Sequence, residues 1–150
     1  MKWGCRFLPF EHLEQRYLKD KISFFGGIWY PADHVLEFES ADLVRLLKLN
    51  YTRPNGNMLS QDGTFGAIHF PVTAEIRATT TLVQSQELGG PLPELPGVSM
   101  ANGFAPGALL IPEFMLSYQE LPQDSALVQV LPDGQYELLA RWKYRQWNMP

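Results

Sequence analysis

Residues 85–107 constrain this chain most: four prolines and five glycines in 23 positions leave no place for a helix or an interior strand. Structureless stretches beyond about 12–15 residues are uncommon in compact domains and tend to carry function or disorder. This one also carries Leu88, Leu92, Leu95, Val98, Met100 and Phe104. A solvated linker has no use for six large apolar side chains. The expectation is an extended arm lying on a surface, either its own sheet or a neighbouring subunit.

Around the arm the grammar is that of β-structure. Segments 65–72 and 74–84 are rich in β-branched and aromatic residues. In the second, Glu75, Arg77, Thr79 and Thr81 alternate with Ile76, Ala78, Thr80 and Leu82, the period-2 mark of a half-buried strand. Further strands are expected at 109–116, where Pro112 implies an edge or a bulge, and at 126–131. Pro132-Asp133-Gly134 predicts a tight turn into a long closing strand over 135–146. Asn55-Gly56 and Asp62-Gly63 mark 50–66 as a turn-rich connection.

The N-terminal third reads differently. Residues 11–19 suit a short helix with Leu13, Tyr17 and Leu18 on one side. Ile22-Ser23-Phe24-Phe25 suits a strand, Gly26-Gly27 a turn, Tyr30-Pro31-Ala32-Asp33 a second turn, and Val35-Leu36-Glu37-Phe38 the returning strand. Ser40 can cap a helix over 41–48 whose apolar stripe is Leu43, Val44, Leu46 and Leu47, with Asn50 as its stop. With 150 residues, 45% of them apolar and 13% aromatic, the chain suits one domain with a real core. The expected fold is a single domain, 1–150: mainly β, an antiparallel sandwich or partly open barrel. It combines a short N-terminal helix, a hairpin–helix element at 21–51 and a β-rich core at 65–146 that carries the arm.

Charge is unevenly placed. Residues 1–53 carry a net +1, residues 54–140 a net −8 with Arg77 as their one cation, and Arg141, Lys143 and Arg145 return +3 at the end. An acidic middle repels phosphate backbones, so nucleic acid is a disfavoured partner and could use the ends only. The same asymmetry suits a homo-oligomer in which basic edges meet acidic faces. The uncharged run 95–112 holds three prolines and three glycines and cannot form a membrane helix. A lone Cys5 excludes an intrachain disulfide, and Lys2, Arg6 and Glu11 break any apolar signal core, so synthesis in a reducing cytoplasm is expected.

No catalytic or cofactor motif stands out. His12, His34 and His69 lack ligand spacing, so neither a metal nor any other cofactor is expected. Cys5 with a distant histidine could in principle form a nucleophile pair, though a buried, incidental thiol fits as well. Phosphate-loop, dinucleotide and nucleophile-elbow motifs are missing. In the closing strand, Tyr136, Leu138, Ala140, Trp142 and Tyr144 should share one face and Arg141, Lys143 and Arg145 the other. Single-strand binders put both sets on one surface, so the aromatic face reads as core.

The stretch 21–51 resembles a small module of tailed-bacteriophage virion and assembly proteins. The residues that carry the likeness are Lys21-Ile22-Ser23-Phe24, the turn Gly26-Gly27-Ile28-Trp29-Tyr30-Pro31-Ala32-Asp33, Val35-Leu36-Glu37-Phe38 and the leucine-bearing helix after them. Ala32 stands where that pattern has glycine, and Asn50 lies near its glycine stop. The resemblance covers about a fifth of the chain. It implies a non-enzymatic structural protein of a phage particle, made in the host cytoplasm and binding capsid or neck subunits. Capsid decoration is placed slightly ahead of a head–tail connector or a tail component. The expected interface residues are Leu92, Leu95, Met100 and Phe104 of the arm, with Arg141, Lys143 and Arg145 as charge partners. Two other readings stay open: a small nucleic-acid-binding regulator using the basic, aromatic C-terminus, and a small enzyme with an unrecognised site.

Overall fold

The computed structural model describes residues 3–36, 42, 64–73, 76, 78–80 and 114–150. The arm at 85–107 with Leu92, Leu95, Met100 and Phe104, the connection 50–63, and the helix expected at 41–48 apart from Asp42 (which is helical) lie outside these residues. Eight strands are described: β1 (Trp3–Leu8), β2 (Phe24–Pro31), β3 (Phe65–Pro71), β4 (Ala78–Thr80), β5 (Phe114–Glu120), β6 (Ala126–Val130), β7 (Tyr136–Lys143) and β8 (Gln146–Asn148). They form one antiparallel sheet in the order β4-β5-β2-β1-β3-β6-β7-β8. Among the described residues its end strands β4 and β8 do not pair, and the sheet curls as a half-barrel. The mainly-β, antiparallel, partly open architecture expected from the alternation is the one adopted.

The curl begins at β2. Residues Phe24 to Trp29 pair with β5, whereas Tyr30 and Pro31 pair with Cys5 and Gly4 of β1. One strand thereby serves two blades and turns the corner between them. The Gly26-Gly27 pair, expected as a hairpin turn, instead lies inside this strand beside a bulge in β5: Phe25 opposes Gln119 and Gly27 opposes Leu116, so Ser117 and Tyr118 face Gly26 alone. Gly27 has φ +105°, in the region that only glycine enters cheaply. The chain continues through a 3-10 turn at Ala32–His34, and Val35 and Leu36 form a turn rather than starting a returning strand.

Both faces of the blade β1-β3-β6-β7 are covered. On the outer face Cys5, Phe7, Phe65, Ala67, Val128 and Val130 pack with Tyr30, Ala32 and Val35. On the inner face Leu8, Ile68, Phe70, Leu127, Ala140 and Trp142 meet Phe25, Trp29 and Leu116 of the other blade. Strands buried on both sides read as nearly continuous apolar runs, as β3 does with Phe65-Gly66-Ala67-Ile68. The curl is plugged by a helix that starts as one α-turn, α1 (Phe10–Leu13), and continues π-wound over Glu14–Lys19. Leu13 and Tyr17 are its buried residues, with Leu18 packed beside them, and the Tyr17 hydroxyl donates to Phe24 O at 3.1 Å. The helix expected over 11–19 is therefore present.

The turn at 132–134 forms as expected, with Gly134 at φ +87° and Gln135 N–H donating to Asp133 Oδ1 at 2.9 Å. The single closing strand does not. It breaks into β7 and β8 around Tyr144 and Arg145, whose φ values of 55° and 60° describe a two-residue primed turn. A second departure lies inside β7. Val128 opposes Leu138 but Leu127 opposes Ala140, so Leu139 is a bulge. Tyr136 therefore packs on the outer cluster, whereas Leu139, Ala140 and Trp142 belong to the inner one. The one aromatic face expected from Tyr136 to Tyr144 is split by this extra residue.

Candidate functional site

The three C-terminal cations fall together on and beside the β7–β8 hairpin. Beyond the bulge, alternation puts Arg141 and Lys143 on the outer face and Trp142 on the inner one. Each cation has a partner in its own chain: Arg141 Nη1 donates to Asp124 O at 3.1 Å, Lys143 Nζ lies 3.7 Å from Asp124 Oδ1, and Arg145 Nη2 lies 3.2 Å from Glu120 Oε1. The last two are exposed ion pairs, worth little in water and readily exchanged for a better acid. At the tip, Tyr144 is 82% exposed. Trp142 and Trp147 are buried against each other with ring centroids 5.0 Å apart, so the tryptophans of the C-terminus are core and present no stacking surface.

The sequence separates Cys5 from His69, yet antiparallel pairing of β1 with β3 sets them directly opposite each other on the outer face. Directly opposed residues have Cα atoms about 4.5–5.5 Å apart. Burial pushes the Cys5 thiol up, and burial with the nearby Arg141 holds the His69 imidazole down at about 4. An activated cysteine needs the reverse, a thiolate beside an imidazolium. At neutral pH this pair is a neutral thiol beside a neutral imidazole. His69 also lies 5.1 Å, ring to ring, from Tyr136, and among the described residues neither His69 Nε2 nor the Tyr136 hydroxyl has a hydrogen-bond partner. Burial, and then Cys5, raises the Tyr136 phenol. His69 and Arg141 open onto a cleft of about 610 Å³ rimmed by Trp3, Asp33 and Leu36. Only the pairing of β1 with β3 reveals this cluster. The sequence signal was limited to each residue's place in an alternating segment.

Among the described residues, no group of three or more His, Cys, Asp or Glu side chains is placed to hold a metal ion, and no helix is long and apolar enough to cross a membrane. Comparison of the chain with family models, with curated proteins and with solved structures finds no match.

Proposed function

We propose that this chain is a non-enzymatic structural protein of a tailed-bacteriophage particle, acting as a homo-oligomer that binds capsid or neck subunits, with capsid decoration ahead of a head–tail or tail position. The virion part of this reading rests on the resemblance at 21–51. The observation that carries the binding part is the β7–β8 tip. A tyrosine and an arginine occupy both positive-φ positions of its turn, where Asn-Gly would cost least. Tyrosine and arginine are among the side chains that most often anchor protein interfaces, and here they project from the strand pair that ends the sheet among the described residues. Lys143 and Arg145 add charges that an acidic neighbouring subunit can take over from Asp124 and Glu120. The arm, through Leu92, Leu95, Met100 and Phe104, is the proposed second contact.

The test is incorporation into particles. Particles purified by density gradient from cells making the wild-type chain should contain it, as read by mass spectrometry. Deletion of residues 88–104, or the pair Lys143→Glu and Arg145→Glu, should leave a folded chain in the cytosol and remove most of it from the particle. A chain absent from wild-type particles would refute the proposal.

A further inference from the structure

We infer that the pocket between the α1/π-helix and the β1-β2-β5 corner is a binding site for a small phosphate-bearing anion. This inference is independent of the virion reading and concerns the inner side of the sheet. The pocket has a volume of about 380 Å³ and is lined by Arg6, His12, Arg16, Tyr17 and Tyr118, among others. None of its described lining residues is acidic, although the chain as a whole carries −4.

The three basic groups reach the pocket from two elements. His12 and Arg16 are four apart on the helix, a spacing that puts them on one face. Arg6 stands on β1 between Gly4 and Leu8, which is the inner, apolar side of the sheet. Its guanidinium is held there: Nη1 donates to Phe7 O at 3.0 Å and to Ile28 O at 3.5 Å. Space for it comes from the missing side chain of Gly27, where a Cβ would lie 2.8 Å from Arg6 Cζ. Gly27 thus serves Arg6 as well as the left-handed backbone at this point of β2. Both guanidinium groups also act on the Tyr17 phenol, whose proton burial binds more tightly and Arg6 and Arg16 loosen.

Two guanidinium forks facing one cavity match the planar geometry of an oxyanion and bind it with charge-assisted hydrogen bonds. The volume sits at the low end of small-molecule sites and exceeds that of a bare phosphate, leaving room for a small organic group against Leu8, Phe25 and Tyr118. π-helical segments recur at functional sites, and here the π-wound turn is the one that presents Arg16 and Tyr17.

Calorimetric titrations of the full chain with inorganic phosphate, pyrophosphate and phenyl phosphate, at constant ionic strength against sodium chloride, test the site. At least one of the three should bind saturably. Tighter binding of phenyl phosphate identifies an ester as the occupant, and equal or tighter binding of inorganic phosphate identifies the free ion. Arg16→Gln, at an exposed position that folding does not need, should weaken binding tenfold or more, as should His12→Gln in part. Lys19→Gln, exposed on the same helix and outside the pocket lining, should leave it unchanged. Binding of all three anions no tighter than chloride, or equal weakening by Lys19→Gln, would overturn the inference.

Discussion

Gly4 of β1 stands directly opposite Phe70 of β3, and the Phe70 ring fills the space that any side chain at position 4 would need. A Cβ there would also lie 2.8 Å from Trp29 Cε3. Phe70 in turn packs edge-on against both Phe25 and Trp29, at 4.9 and 5.2 Å between centroids. The two blades therefore close on one another through aromatic rings that the missing side chain admits. Gly4→Ala should cost about 2–3 kcal/mol by overpacking, read as a lower urea midpoint at an unchanged slope. A midpoint within error of the wild type would show that the rings can move aside.

His69 makes stability depend on pH. Its folded-state value, about 4, lies below the ordinary 6.5, so the unfolded chain binds this proton more readily. The contribution is complete above pH 6.5 and drains as pH falls through 4, with about 3 kcal/mol at stake across that window. His69→Gln should flatten the stability–pH curve between 6.5 and 4 relative to the wild type. Parallel curves for the two proteins would contradict the assignment.

Cys5 is fully buried, and desolvation keeps it a thiol. A thiol-reactive dye should label it only as the chain unfolds, at a rate that follows the opening equilibrium and rises with denaturant. Fast labelling of the native protein would instead reveal an accessible, activated cysteine.

The turn at Tyr144 and Arg145 stores backbone strain, at about 1 kcal/mol or more for each side chain held at positive φ. Replacing the pair by Asn-Gly should stabilise the chain by about 1–2 kcal/mol, since the exposed Arg145–Glu120 pair returns little. The melting temperature should rise by a few degrees while incorporation into particles falls. A stabilised variant that still incorporates normally would remove the tip from the proposed interface.

Trp142 and Trp147 belong to the core, where Trp147 also meets Tyr17 edge-on at 6.3 Å. Trp142→Ala should lower stability by about 3–5 kcal/mol. Single-stranded oligonucleotides added to the wild type should leave tryptophan fluorescence unchanged. Salt-sensitive quenching on their addition would favour the nucleic-acid reading instead.

Period-2 alternation and turn chemistry sufficed to locate β3, β6 and the Pro132-Asp133-Gly134 turn, because those signals lie within a few residues of chain. They also sufficed for the mainly-β class and the short helix that plugs the curl. The three places where the sequence misleads depend on distant partners. Gly26-Gly27 is locally an ideal turn, yet pairing with β5 on one side and β1 on the other draws it into a single strand, opposite a bulge in β5. Nothing in Tyr-Arg announces a primed turn; it arises because Trp147 can bury itself against Trp142 and Tyr17 only if the chain doubles back. The Leu139 bulge shifts parity by one, which local alternation cannot register. The juxtapositions that matter for chemistry, Cys5 with His69 and Arg6 with Arg16, are likewise products of tertiary pairing. Alternation within one strand says which residues share a face; which strand lies opposite, and in what register, is decided only when every buried face finds its cover.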